Sequence, residues 1–174
     1  DTYSAAFKKD VFNAAGGYDL TFPVACAEDV DLSYRLANHG YKMVFNPKAL
    51  VFHMHPHNLK SYLQKKFKFA CWRVRAVRRN PNKILKDSHT PFIMKLQVML
   101  LPFVLLALPF SLIYPYLLPI FLGLYFMTAI PFAIKAIKKD IAVGLLSPLV
   151  LFLRSIAQFF GLVGGVVKES LKSC

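Results

Sequence analysis

The sequence predicts an α/β polar part followed by an α-helical membrane region of two to three spans. Residues 1–57 mix helix-like and strand-like hydrophobic patterns with polar loops. Residues 96–134 contain no Asp, Glu, Lys, Arg or His, which is longer than one membrane span requires. Between them, ten Lys and Arg residues fall within residues 60–86. A polybasic segment directly before an apolar run is typical of a juxtamembrane connector.

The composition excludes three classes of protein. The 174 residues carry 22 Lys and Arg against 9 Asp and Glu, and 56% are hydrophobic. The apolar runs exclude a wholly soluble protein and also a disordered one. A disulfide scaffold is the third class excluded, because the cysteines are odd in number and form no C-x-x-C pair; they are Cys26, Cys71 and Cys174. We expect them to be reduced thiols on the cytosolic side. The chain begins without Met or a leader pattern, so we expect a fragment of a longer protein.

The polar part is predicted to contain two helices and two strands. Ser4 can cap a first helix that ends at Gly16-Gly17, and a second helix begins near Glu28 and ends at Gly40. Residues 42–45 and 49–52 read as strands. Two strands cannot form a stable sheet alone, so we expect their partners upstream of residue 1.

A third helix is predicted from Asn58, as its cap, to Arg79, because Asn80-Pro81 follows. Its aromatic side chains alternate with Lys and Arg on more than one face, which favours a helix lying at a bilayer surface. A groove for nucleic acid would use similar residues, but no recognised motif is present and apolar spans follow at once. The residues predicted to meet the membrane surface are Lys65, Lys66, Lys68, Trp72 and Arg73.

The membrane region is predicted to contain spans at about 92–114, 116–134 and 141–167. Tyr114-Pro115-Tyr116 marks the turn between the first two. The third stretch carries Arg154 and Gln158 near its centre, so it could span or lie at the interface; we favour spanning. The Lys residues after the second span and the basic connector before the first span are both positively charged. Positive residues flanking membrane spans favour the cytoplasmic side, so we expect a multi-pass protein with its polar part in the cytoplasm. The resulting domains are 1–57, 58–90 and 91–174.

Four charged residues form the densest polar group, at the start of the second helix. Glu28, Asp29 and Asp31 occupy its first turn, and Arg35 follows one turn later. Acids there complement the helix dipole by about 0.3–1 kcal/mol each, which is a purely structural explanation. Alternatively, a carboxylate at this loop-to-helix junction serves as a general base on a hydroxyl. The spacing alone does not separate these interpretations.

Several motifs agree in order and spacing with a known family. They are GGYD (16–19), EDVDL (28–32), RL (35–36), GYK (40–42) and NPKALVFH (46–53). This succession resembles the C-terminal half of the catalytic domain in family 2 inverting glycosyltransferases. The resemblance covers roughly residues 2–57 and implies a GT-A-like nucleotide-sugar-binding fold.

The resemblance also implies roles for individual residues. Asp29 matches the general base and Glu28 its companion. Gly16, Gly17, Asp31 and Arg35 match the vicinity of the acceptor or donor. His53 matches a position near a divalent metal, Mg²⁺ or Mn²⁺, although a hydrogen-bonded strand-end histidine is the alternative. Most metal ligands of the family belong to an upstream D-x-D motif, which this chain lacks.

The implied activity is transfer of a sugar from a nucleotide-sugar donor to a lipid-linked or other membrane-associated acceptor, with inversion at the anomeric carbon. The processive members' Gln-x-x-Arg-Trp motif is absent, which favours transfer of a single sugar. The partners implied are the donor, the acceptor and an anionic bilayer, with no nucleic acid. We expect these residues alone to be inactive. The alternative is a non-catalytic polybasic membrane adaptor or transporter subunit.

Overall fold

The computed structural model describes residues 4–22, 26–83 and 90–171, and their regular structure is helical. The α-helices are α1 (Lys9–Ala14), α2 (Glu28–Asn38), α3 (Leu59–Arg79), α4 (Phe92–Phe110), α5 (Leu117–Ile137) and α6 (Ile141–Leu171). These described residues contain no β-strand. The predicted α/β, GT-A-like fold class is therefore wrong for this chain.

Residues 42–45 and 49–52, which were predicted as strands, have no regular structure. Residues 41–55 are exposed throughout, and Phe52 lies completely in solvent. A strand is stabilised by hydrogen bonds to a neighbouring strand and by packing on one face. The described residues supply neither, so β-branched and aromatic composition alone does not produce a sheet.

The chain divides into two compact units. The polar unit comprises residues 1–87 and 161–174, and the apolar unit comprises residues 88–160. Helix α6 begins in the apolar unit, and its last turns, from Gly161, belong to the polar unit. The hydrophobic core of the polar unit is formed by Phe22, Cys26, Ala27, Trp72 and Ala76, with Phe69 packed against it.

Helices α1 and α2 end where the sequence predicted. α1 begins at Lys9, later than the predicted cap at Ser4, and is followed by Gly16-Gly17. α2 ends at Asn38 and is followed by Gly40. Leu32 and Leu36, four residues apart on one face of α2, are both buried.

Helix α3 is capped and stopped by asparagines. The Asn58 side chain accepts a hydrogen bond from the Ser61 N–H at 2.8 Å, which confirms the predicted cap. At the other end, Asn80 Nδ2 donates to the Ala76 carbonyl at 2.9 Å. Asn38 Nδ2 also donates to Asn80 Oδ1 at 3.0 Å. The end of α3 is therefore attached to the end of α2.

The last turns of α6 pack closely against α3 within the polar unit. A Cβ atom added at Gly161 would overlap the carbonyl oxygen of Phe67, and one at Gly165 would overlap that of Cys71. Glycines four residues apart allow this approach because they bring no side chain between two helix backbones. We call this contact the glycine contact.

Charged groups flank the glycine contact. Arg75, which is 5% exposed, pairs with Glu169 at 2.8 Å and donates to the Thr21 carbonyl at 2.6 Å. The Lys168 ammonium lies 4.0 Å from the centroid of the Trp72 ring. The buried guanidinium and the tryptophan are therefore both held by the end of α6.

The apolar unit contains an antiparallel pair of helices, α4 and α5, joined at residues 111–116. The predicted turn at Tyr114-Pro115-Tyr116 lies in this connection. Helices α4, α5 and α6 are each long and apolar enough to cross a membrane, with mean hydropathies of 2.0, 2.1 and 1.8. The protein is accordingly an integral membrane protein.

The two cysteines that the structure describes are free. Cys26 is buried and Cys71 is partly buried, and neither forms a disulfide. Burial, together with the nearby Glu28 carboxylate, raises the pKa of the Cys26 thiol above its ordinary value. Cys174 lies outside the described residues.

Candidate functional site

Arg35 joins helix α2 to the turn that follows α1. Its guanidinium donates to the carbonyl oxygens of Ala15 and Gly17, the latter at 2.7 Å. Its Nε donates to the Asp31 carboxylate at 2.9 Å. Because a guanidinium presents several donors in a rigid plane, one side chain fixes the glycine turn against α2.

The glycine turn needs its two glycines for a conformational reason. Gly16 and Gly17 have φ angles of 77° and 62°, in the left-handed region that other residues rarely adopt. A Cβ at Gly17 would also lie 3.1 Å from the ring of Phe12. The resemblance assigned both glycines to the acceptor or donor vicinity, and the structure brings them next to Arg35.

Asp31 is a buried partner of its neighbours. It is 1% exposed and pairs with Arg35, and Asn80 Nδ2 donates to its other oxygen at 3.3 Å. A buried carboxylate is stabilised when it is paired and hydrogen-bonded in this way. Asp31 therefore holds α2 to Arg35 and to the end of α3.

The other two acids differ from Asp31 and from each other. Glu28 Oε2 accepts a hydrogen bond from the Cys26 N–H at 2.7 Å, which stabilises the entry into α2. Among the described residues, the Asp29 carboxylate accepts only from the next N–H, that of Val30, at 2.8 Å. Within the described ranges, no ion pair engages Asp29. Of the three first-turn acids, Asp29 is the least engaged.

Tyr18 lies close to these acids. Burial raises the pKa of its hydroxyl above the ordinary value, and the carboxylates of Asp29 and Glu28 raise it further. The Tyr18 ring also packs edge-on against Phe12, with centroids 5.4 Å apart. The loop after α1 is thereby held within electrostatic reach of Asp29.

An open cavity of about 520 Å³ adjoins this loop. Arg79 closes one part of it through an ion pair with Asp19. The cavity thus presents hydroxyl, carboxylate, guanidinium and amide groups, a surface suited to a polyhydroxylated ligand. Its lining residues are Gly16, Tyr18, Asp19, Leu20, Asp31, Arg35, Arg79 and Asn80.

His53 lies in the exposed segment after α2. Its ring packs edge-on against that of His55, with centroids 5.2 Å apart. The part of the chain that the structure describes contains no group of three His, Cys, Asp or Glu side chains positioned to hold a metal. The described residues therefore do not form a metal site by themselves, and the role of His53 stays a prediction.

The residues predicted to meet the membrane surface lie in different environments. Lys65 lies over the Phe69 ring and Lys66 over the Tyr62 ring, at 5.6 and 5.3 Å from the centroids. Trp72 is 7% exposed, and Arg73 donates to the Tyr34 hydroxyl at 3.1 Å. Trp72 and Arg73 thus contribute to packing within the polar unit. The membrane role of the group stays a prediction.

Sequence reasoning missed Tyr18, Asn80 and Arg75. Asn80 was considered only as a helix stop, but it hydrogen-bonds the buried Asp31. The pairing of Arg75 with Glu169 joins positions 94 residues apart, and no local pattern indicates it. The spacing of Gly161 and Gly165 was the available signal for the helix contact beside that pair.

Comparisons with known proteins give one match. Residues 3–134 match the family model described as glycosyl transferase family group 2. The matched segment spans more than half of the chain and includes the cavity, the polybasic helix, α4 and most of α5. No curated protein matches the chain, and no solved structure does.

Proposed function

Because the chain belongs to glycosyl transferase family group 2, we propose that it transfers a sugar from a nucleotide-sugar donor to a membrane-associated acceptor, with inversion at the anomeric carbon. Membership of the family supports sugar transfer in general. The helices α4, α5 and α6 support a membrane setting. The donor class, the stereochemistry and the acceptor class are our proposals.

The observation that carries the proposal is the contrast among the three first-turn acids. Asp31 is buried in an ion pair, and Glu28 accepts from a backbone N–H. In the part of the chain that the structure describes, the Asp29 carboxylate is hydrogen-bonded only to the adjacent N–H. A general base needs an ionised carboxylate that can reach the proton it accepts. We therefore assign this role to Asp29, with Glu28 shaping the turn beside it.

The proposed step moves one proton and exchanges one bond. The Asp29 carboxylate accepts the proton of the acceptor hydroxyl as that oxygen forms a bond to the anomeric carbon. The bond from this carbon to the donor's diphosphate oxygen breaks, and the diphosphate departs with the bonding electrons. Attack from the face opposite the leaving group inverts the configuration.

The cavity beside the glycine turn is proposed to receive the acceptor. Tyr18 borders it and lies within electrostatic reach of Asp29. Gly16, Arg35 and Asp31 line the same cavity. Mg²⁺ or Mn²⁺, if bound, would neutralise the charge of the departing diphosphate, and His53 is our candidate for one of its ligands.

A direct test measures sugar transfer in the full-length protein. Purified protein in neutral detergent is mixed with nucleotide-sugars and lipid-linked acceptors, and both nucleoside diphosphate release and the product's anomeric configuration are recorded. We expect release that depends on the acceptor and a product of inverted configuration. A non-catalytic adaptor would bind membranes without any acceptor-dependent release. A retained configuration would refute the inverting mechanism.

A second test concerns the polybasic helix, which we propose holds the polar unit against an anionic cytoplasmic leaflet. Each Lys near such a surface contributes about 1 kcal/mol, decaying over a Debye length of ~8–10 Å. Replacing Lys65, Lys66 and Lys68 with Gln should lower transfer in anionic liposomes, with the loss shrinking as salt rises. In neutral detergent, the variant and its parent should transfer sugar equally.

The matched control removes three exposed lysines from elsewhere in the polar unit, by replacing Lys8, Lys9 and Lys42 with Gln. If the two triple variants behave alike in anionic liposomes at low salt, net charge accounts for the effect and the surface role of α3 is rejected.

A further inference from the structure

Arg154 lies in the apolar unit beside two glutamines. Its Nη2 donates to Gln97 Oε1 at 2.6 Å, which joins α6 to α4. Gln97 Nε2 donates in turn to Thr128 Oγ1 of α5 at 3.1 Å. Since Gln97 is 1% exposed and bonded at both ends, its carbonyl is held facing the guanidinium. This part of the cluster is therefore preorganised.

Two polar atoms of the cluster remain unsatisfied. Arg154 Nε and Gln158 Oε1 are both buried, and neither has a hydrogen-bond partner among the residues that the structure describes. The Gln158 amide nitrogen donates to the sulfur of Met94, at 3.8 Å. Unpaired buried polar atoms are rare in native proteins, and each one requires an explanation.

The charge of Arg154 is also uncompensated. A guanidinium stays protonated in proteins, so the apolar unit carries a permanent positive charge at this point. In the described parts of the chain, no carboxylate forms an ion pair with Arg154. An isolated charge in an apolar environment is costly, whereas an anion beside it offsets that cost.

The depth of the cluster points to the kind of anion. Gln97 lies five residues after Phe92, the first residue of α4, which corresponds to about 7.5 Å along the helix axis. Met94, which contacts Gln158, lies nearer still to that end. The hydrocarbon core of a bilayer is about 30 Å thick, close to the length of the 19-residue helix α4, so Gln97 lies in the outer third of that span. Long cationic side chains extend from such positions toward the interface, where the lipid phosphates lie.

The neighbouring surface is apolar. Ile93 of α4 and Leu149 and Phe160 of α6 are exposed, and such side chains are covered by acyl chains in a bilayer. An anion that reaches Arg154 beside this surface fits best if it carries its own apolar chains. The planar guanidinium also matches the oxygens of a phosphate.

We propose that Arg154, Gln97 and Gln158 form a binding site for the phosphate group of a membrane lipid. The guanidinium of Arg154, which is only half-buried, donates to a phosphate oxygen, and the Gln158 amide, also half-buried, turns about its terminal bond and donates to a second one. The site goes beyond the proposed function and does not depend on it, because it requires neither donor nor transfer.

The test measures lipid binding by the full chain in dodecyl maltoside, a detergent without phosphate. Labelled phosphatidic acid is titrated, with diacylglycerol of the same chains and sodium phosphate as competitors. We expect saturable binding that diacylglycerol does not displace. Arg154→Gln should weaken binding by about tenfold or more, since it removes a charge-assisted hydrogen bond. Lys139→Gln, which removes an exposed charge from the same unit, should bind like the parent.

Three results would overturn the proposal. Parental affinity in Arg154→Gln would show that the guanidinium is not used. Displacement by diacylglycerol would show an apolar groove, and displacement by millimolar sodium phosphate would assign the site to free phosphate. If Arg154→Gln aggregates, Arg154→Lys is measured in its place. Loss of the planar guanidinium should weaken lipid binding about threefold or more. Unchanged affinity in Arg154→Lys would then refute the site.

Discussion

Replacing Asp29 with Asn in the full-length protein is expected to lower the turnover of sugar transfer by about 10²–10⁴-fold, the usual effect of losing acid–base catalysis. The amide keeps the size of the carboxylate, and its oxygen can still accept from the Val30 N–H. It cannot take up the acceptor's proton. Donor affinity should change little, because the substitution acts on the reacting hydroxyl. Steady-state turnover and donor binding measured on the same preparation separate the two effects.

Asp10→Asn provides the matched control for Asp29→Asn. Asp10 is an exposed acid in the first turn of α1, so the control makes the same chemical change at the start of a different helix. It should transfer sugar at the parental rate. Near-parental turnover of Asp29→Asn would make Asp29 a structural first-turn acid, and the base would have to be sought elsewhere.

Replacing Gly165 with Ala should destabilise the polar unit by about 1–3 kcal/mol, the usual cost of overpacking. The added Cβ would overlap the Cys71 carbonyl oxygen and lie 2.8 Å from a methyl group of Val74. Alanine favours a helix over glycine by about 1 kcal/mol, but the clash is with backbone and cannot be relieved by rotating a side chain. We therefore expect the clash to dominate and α6 to separate from α3.

The measurement uses Trp72, the single tryptophan of the chain. Its ring lies against Lys168 of α6, so its fluorescence reports the helix contact during unfolding in detergent. Gly164→Ala is the control in the adjacent position, where the nearest atom to an added Cβ is a Phe67 ring carbon at 3.7 Å. It should leave the midpoint unchanged or raise it. Equal midpoints for both variants would show that the glycine contact does not limit stability.

Local signals in the sequence predicted most helix ends correctly. Asn58 caps α3, Gly16-Gly17 follows α1, and the connection between α4 and α5 contains Tyr114-Pro115-Tyr116. Each signal depends on a side chain or backbone preference that acts within a few residues. Such preferences can be read from sequence because their partners are close by in the chain.

The predicted strands failed for the opposite reason. Residues 42–45 and 49–52 have strand composition, but a strand requires partners whose presence composition cannot guarantee. The same limit hid the environment of Asp31. Asp31 is hydrogen-bonded to Asn80, which is 49 residues away. The sequence therefore places Glu28, Asp29 and Asp31 in one turn but does not show which of the three carboxylates is buried. The structure separates them by what each carboxylate accepts.

The glycine contact also bears on when the polar unit can form during synthesis. Its two sides are far apart in the chain, since Arg75 of α3 and its partner Glu169 of α6 are separated by 94 residues. A chain is made from its N-terminus, so α3 is complete before residues 88–160 and well before the glycines that pack against it. The polar unit therefore gains the carboxylate that pairs with the buried Arg75 only after the whole apolar unit has been made.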